Sequence, residues 1–286
     1  MEIQEYACSV LGNLMVDNDA TRECGHACSI HLDVQKAMQE FSMECSVMYE
    51  ACWALQNYMD GCSTHSAQEE THTLNTGKNR NVAACGQAEL HQEIQSAMSE
   101  HAHDADLQVE ALCALGHYCL EDANRVKAGQ SDTHLSIQQA LRHHITDRNV
   151  VYSACGALAK LCLNLESTHR AGEANLHLDV QVAMQRYSTP RDIQFRACAA
   201  LWMYCADAEN RERAFSVNVH VEVQKAMIQF SMDVDLQCQA CGALGIFCEN
   251  CYSKYYQLAT HILNKTNPAE AVPTMTTEHL MIELAK

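Results

Sequence analysis

Apolar and small residues recur along this chain at fixed offsets around a repeated alanine. With Ala7, Ala51, Ala111, Ala154, Ala197 and Ala240 as position zero, +4 is leucine in all six copies: Leu11, Leu55, Leu115, Leu158, Leu201 and Leu244. Position −4 is Ile3, Val47, Leu107, Val150, Ile193 and Leu236, and +7 is Leu14, Tyr58, Tyr118, Leu161, Tyr204 and Phe247. Offsets of −4, 0, +4 and +7 fall on one face of a helix about 15 residues long. Small residues at 0 and +3 let a neighbouring helix come close. Asp104, Asp147 and Asp233 stand where this helix should be capped, and Pro190 suits a first turn.

A second phrase precedes five of these helices: His31…Val34-Gln35…Ala37-Met38, His91…Ile94-Gln95…Ala97-Met98, His134…Ile137-Gln138…Ala140-Leu141, His177…Val180-Gln181…Ala183-Met184 and His220…Val223-Gln224…Ala226-Met227. It predicts a shorter helix. Between the two phrases a turn is expected at Thr21-Arg22, Asn124-Arg125, His169-Arg170 and Asn210-Arg211, with room after it for a short first helix. From Ala111 on, the alanine returns every 43 residues. A helical unit repeating at that period predicts an all-α solenoid, each unit packing on its neighbours around one continuous core.

Three helices per unit, with the last one longest and reading Ala-Cys-x-Ala-Leu, and with the Asn-Arg pair beyond it, resemble the armadillo repeat. HEAT repeats, usually of two helices, are the nearer alternative. The resemblance implies a right-handed α–α superhelix over residues 1–251, with 252–286 as a helical cap. Ser253–Lys265 and Thr277–Lys286 are the expected cap helices. Two departures stand out. Ala51 to Ala97 spans 46 residues where later units have 29, so a loop is expected at about 60–78, rich in Ser, Thr, His and Gly. The chain also opens in a long helix without the two that should precede it, which predicts a bare apolar flank, covered by a larger array or by a partner.

Composition narrows the partners. The net charge of −17 disfavours nucleic acid and anionic membrane and favours a basic or neutral protein. No apolar run reaches 18 residues and no signal-peptide pattern is present, so no membrane insertion is expected, with cleaved organellar targeting left open. Of the 17 cysteines nine fall into register: Cys8, Cys52, Cys155, Cys198 and Cys241 at one position, Cys119, Cys162, Cys205 and Cys248 at another. Periodicity makes them small core residues in a reducing compartment, cytoplasmic or nuclear.

The armadillo resemblance implies that the long helices line a concave groove for an extended peptide. Glu50-Ala51-Cys52-Trp53-Ala54-Leu55-Gln56-Asn57 is similar to the Trp-x-x-x-Asn helix of importin-alpha-type import adaptors, where the amide bonds a peptide backbone and the indole packs on a side-chain stem. The other copies lack the pair. The candidate groove residues are therefore Asn13, Trp53, Asn57, His117, Lys160 and Met203, with Trp202 beside them. The histidine row reads as a repeated helix-start residue bonding the preceding turn, or as a pH-responsive ladder. The glutamine row should bridge units through its amides. Cys24-x-x-x-Cys28-x-x-His31 and Cys238-x-x-Cys241…Cys248-x-x-Cys251 imitate metal ligand sets, but the first lacks a fourth ligand and the second lies mostly along one helix. No phosphate loop, serine elbow or His-Glu-x-x-His is present. The expectation is a non-catalytic scaffold or adaptor without a cofactor, binding a protein or extended peptide as part of a larger complex. A peptide carrier of the import-adaptor type and a Cys/His metal or pH sensor are the alternatives.

Overall fold

The computed structural model describes residues 2–60 and 80–247. The predicted loop beyond Asp60 and the cap helices after Cys251 lie outside the described residues. Residues up to Ile246 form one compact unit, and a second begins at Phe247.

Among the described residues every regular element is a helix. A single helix, α1 (Glu2–Met15), precedes five triplets. The first is α2 (Asp19–Ala27), α3 (Ile30–Glu40) and α4 (Cys45–Met59); the second α5 (Arg80–Gln87), α6 (His91–Glu100) and α7 (Ala105–Tyr118). Then come α8 (Asp122–Gln130), α9 (Thr133–His143) and α10 (Arg148–Leu161), followed by α11 (Leu165–Glu173), α12 (Leu176–Arg186) and α13 (Arg191–Tyr204). The last is α14 (Ala208–Ser216), α15 (Val219–Gln229) and a long helix, α16, described over 234–247. No described helix is long and apolar enough to cross a membrane.

Long helices stack in sequence, α1 on α4, α4 on α7, α7 on α10 and α10 on α13, and the middle helices α3, α6, α9 and α12 each pack on the long helix that follows. Positions −4, 0, +4 and +7 of α4, α7, α10 and α13 are all buried, so the alanine register identifies the core face of these four helices. Caps form where polar residues were expected. Asp104 accepts from Leu107 N at 2.8 Å, Asp147 from Val150 N at 3.1 Å and Asp233 from Leu236 N at 2.9 Å, while Pro190 is the N-cap residue of α13. Seven of the nine register cysteines are buried, whereas Cys241 in the last long helix is exposed and Cys248 lies outside the described residues.

Two expectations about the short helices change. The Asn-Arg pairs do not form a turn between elements; they lie inside the first helices α2, α8, α11 and α14. Asn124 and Asn210 are buried there because each bridges to the unit before it, donating to Val82 O at 2.8 Å and to Thr168 O at 2.6 Å. Three of the five row histidines bond forward rather than back. His91 and Tyr118 share a hydrogen bond of 2.8 Å, His177 and Tyr204 one of 2.7 Å, and Tyr58 stands 3.3 Å from both His31 and His26. In each pair the tyrosine is the +7 residue of the next long helix. The +7 residue facing His134 is Leu161, and His134 Nδ1 is buried with no hydrogen-bond partner.

The glutamine row does bridge units. Gln35, Gln95, Gln138 and Gln181 donate to the carbonyls of Ala88, Ser131, Ala174 and Val217 at 2.9, 2.9, 2.8 and 3.1 Å. Each acceptor lies just past a first helix, where helical carbonyls lose their own partners. The next residue reverses the chain in the left-handed region: Glu89, Asp132, Asn175 and Asn218, with φ of 55°, 58°, 57° and 62°. Asn and Asp tolerate that conformation, and glutamate does so at a cost. Glu89→Asn is therefore expected to raise the unfolding free energy by about 0.5–1 kcal/mol, read as a higher urea midpoint at unchanged slope.

Candidate functional site

The long helices present a shared face at positions −1, +2 and +6, on which all the candidate groove residues except Trp202 lie. Tyr6, Ser9 and Asn13 occupy these positions on α1, Glu50, Trp53 and Asn57 on α4, and Glu110, Cys113 and His117 on α7. Ser153, Gly156 and Lys160 follow on α10, and Arg196, Ala199 and Met203 on α13. The spacing of three and four residues keeps each set on one side of its helix.

Position +6 folds back on its own helix in the first three copies. Asn13 donates to Ser9 O at 2.8 Å, Asn57 to Trp53 O at 2.9 Å, and His117 Nδ1 to Cys113 O at 2.9 Å. Asn57 is buried, and its own carbonyl accepts from Arg22 Nε at 2.9 Å. Lys160 and Met203 remain partly exposed at the same position, with the Lys160 side chain lying over Gly116 of the preceding long helix.

Both tryptophans act as knobs in glycine holes. A Cβ placed on Gly12 of α1 would overlap the Trp53 indole, and one on Gly242 of α16 would overlap Trp202. The two contacts are reciprocal. Trp53, at +2, fills a hole at +5 of the helix before it, whereas Trp202, at +5, fills a hole at +2 of the helix after it. Trp202 thus points into the seam between helices, beside the shared face.

Charge divides this face along its length. Among the described residues no cation pairs with Glu50, Asp106 or Glu110. Burial, then the nearby Asp106 and Glu50 carboxylates, push the Glu110 carboxyl up to about 7, and its Oε2 is buried without a hydrogen-bond partner. Further along, arginines are engaged across units. Arg196 donates to Tyr152 Oη at 3.0 Å and its guanidinium lies 5.0 Å from that ring's centre. Arg148 meets Asp192 at 2.8 Å, and Arg191 meets Asp233 at 2.6 Å. Glu50, Glu110 and Arg196 were missed as candidates because the Trp-x-x-x-Asn resemblance singled out +2 and +6. A column drawn at −1, one turn before +2, would have found them.

The first Cys/His set is not brought together. Cys24 and Cys28 are exposed while His31 is buried against Tyr58, with ring centres 5.6 Å apart. Among the described residues no three His, Cys, Asp or Glu side chains gather closely enough to hold a metal ion. The second cysteine set falls partly on Cys248 and Cys251, outside the described residues. Comparison of the chain with protein-family models and with curated proteins found no match.

Proposed function

We propose that this chain is a non-catalytic scaffold or adaptor of the armadillo type, acting as a structural subunit of a larger assembly. In this reading the triplets wind into a right-handed superhelix, the face at −1, +2 and +6 becomes its concave groove, and an extended segment of a partner protein lies along it. The stack of long helices and the bridging Asn and Gln rows support that architecture. The fourteen described cysteines, all free, fit a reducing compartment such as cytoplasm or nucleus.

The observation that carries the reading is Glu110. A half-buried carboxylate beside two other acids, with no cation among the described residues to answer them, is costly by itself and favourable once a partner's lysine or arginine arrives. The segment is therefore basic where it crosses α4 and α7. The import-adaptor carrier is the weaker reading, because the Trp53 indole is spent on Gly12 and the Asn57 amide on its own helix.

The test is anisotropy of a labelled, unstructured Gly-Lys repeat peptide with the full chain, beside the matching Gly-Glu peptide. Glu50→Gln with Glu110→Gln should weaken the lysine peptide by about tenfold, some 1.4 kcal/mol. Equal binding to wild type and the double variant would sink the assignment of this face.

A further inference from the structure

We propose that the seam between α2 and α5 holds a second binding site, separate from the long-helix face. Its ligand is the charged end of an arginine or lysine side chain of another protein. Three later seams show what this position is built to hold. Counted from the row histidine, −7 is Lys127, Arg170 and Arg213 in the last three triplets, and −5 of the triplet before each is a glycine. Lys127 donates to Gly86 O at 2.8 Å and stands 3.7 Å from Glu89. Arg170 donates to Gly129 O and to Asp132, both at 3.3 Å. A Cβ on Gly172 would lie 2.8 Å from Nη1 of Arg213. Each cation thus crosses a seam to the last turn of the preceding first helix, where carbonyls lack helical partners and the helix dipole favours positive charge.

The first seam departs from this pattern at three positions. The −7 residue of α5 is Ala84, too short to cross to α2. The glycine is replaced by His26, and Ser29 stands where Glu89 and Asp132 meet the later cations. With no long side chain at −7, the seam opens as a cleft of about 390 Å³, lined by His26, Ser29, His31 and Leu32 on one side and by Ala84 and Gln87 on the other. The His26 carbonyl, equivalent to those of Gly86 and Gly129, accepts from Ser29 N at 3.0 Å, and no cation reaches it among the described residues. Both walls of the cleft belong to consecutive triplets inside the array, so its openness comes from Ala84.

Two further groups suit a cation. Tyr58 Oη lies 3.3 Å from Nδ1 of both His26 and His31. The hydroxyl has one hydrogen and can donate to only one ring, so the other ring donates from its own Nδ1. A neutral ring of that tautomer keeps Nε2 as an acceptor. One of the two rings lining the cleft can therefore receive an incoming N–H. Asp33, two residues beyond His31, is close enough to act on that ring and pairs with no cation among the described residues. A neutral row imidazole beside a cation already occurs in the array, since burial and then Arg213 hold His177 well below its ordinary value. An aliphatic stem over Leu32 with a charged tip at the α2 carbonyls matches the cleft, whereas an anion would meet carbonyl oxygens and Asp33.

The experiment titrates acetyl-Ala-Arg-Ala-amide into the full chain and follows the ring C–H signals of His26 and His31 by NMR. The comparison peptide carries norleucine in place of arginine. Ala84→Lys rebuilds the arrangement of Lys127, and its thermal midpoint should equal or exceed that of wild type. Gln87→Lys adds a cation at the rim, on an exposed residue. The arginine peptide should shift both rings saturably, bind Ala84→Lys at least about tenfold more weakly and bind Gln87→Lys about threefold more weakly. The norleucine peptide should bind at least about tenfold more weakly than the arginine peptide. No saturable shift, equal binding of the two peptides, or arginine binding unchanged in Ala84→Lys overturns the proposal. Should Ala84→Lys fold less well than wild type, unchanged binding to Gln87→Lys overturns it instead. Butylguanidinium binding about tenfold more tightly than the peptide would assign the seam to a free small cation and overturn it as well. The chain carrying Glu50→Gln and Glu110→Gln should keep the ring shifts, which separates this site from the long-helix face.

Discussion

The fold should lose stability steeply as pH falls below about 6.5, the ordinary histidine value, well before its carboxylates are neutralised. His31, His91, His134, His177 and His220 all have pKa values lowered chiefly by burial, His177 from 6.5 to about 4. Below 6.5 the unfolded chain takes up protons that the folded chain refuses, so stability falls with pH until the folded values are reached. It is present in full above 6.5. For His177 the window runs from 6.5 to about 4 and is worth roughly 3 kcal/mol, a large part of a typical domain's stability. Other charged groups meet these rings. Lys127 and Arg213 lower His91 and His177 further, while Glu89 and Asp179 act in the opposite sense.

Glu110 opposes the trend. Its carboxyl is raised to about 7, so its ionised form costs stability above that value, and the cost is relieved as pH falls. Five rings against one carboxyl leave the histidines dominant. Urea midpoints at about pH 8, 6.5 and 5 should show little change between the first two and a sharp fall at the third. A flat profile down to about pH 4.5 would refute the account. Two substitutions locate the effect. His177→Leu leaves the buried Tyr204 hydroxyl without its partner and should cost about 1–3 kcal/mol at neutral pH. His134→Leu abandons no such bond and should cost markedly less.

Gly172→Ala is expected to destabilise the protein by about 2 kcal/mol, roughly 4–8 °C in midpoint for a domain of this size. Alanine in a helix ordinarily gains up to about 1 kcal/mol over glycine. At Gly172 the added methyl would overlap Oδ1 of Asn210, which is fully buried on α14 and bonded to Thr168 O at 2.6 Å. The asparagine cannot withdraw without leaving its amide and that carbonyl unpaired, at about 1–3 kcal/mol, in addition to the strain of overpacking. Gly245→Ala is the counterpart. Nothing stands within 4 Å of a Cβ there, so the helical gain should appear alone. Thermal midpoints moving in opposite directions are the expected result. A stabilised Gly172→Ala would show that the seam between α11 and α14 is slack.

These cases mark how far the sequence could be read. The buried face at −4, 0, +4 and +7 was visible because helical period and repeat period reinforce one another over several copies. Caps at Asp104, Asp147 and Asp233 were visible because capping is local, within three residues of the helix start. The glutamine bridges were legible as a role, though their acceptors were not. His177 and Tyr204 are 27 residues apart and on different helices, so no local rule joins them. The Asn-Arg pair was misplaced for a related reason. Polar residues usually mark turns, but Asn210 is kept inside a helix by a carbonyl 42 residues earlier. Of the candidate face, the sequence offered Trp53 at +2 and Asn13, Asn57, His117, Lys160 and Met203 at +6. That Trp53 would be held by Gly12, and that no cation among the described residues would meet Glu110, was not legible.

The sequence by itself determined the helical class, the unit of three helices, the residues facing the core and the acidic character of the surface, because periodicity and composition act residue by residue. Tertiary structure alone decided which histidines meet tyrosines and which carboxylates stand unanswered among the described residues. Those properties depend on what a neighbouring helix brings, and the identity and distance of that neighbour are set by packing between units rather than by the order of residues within one.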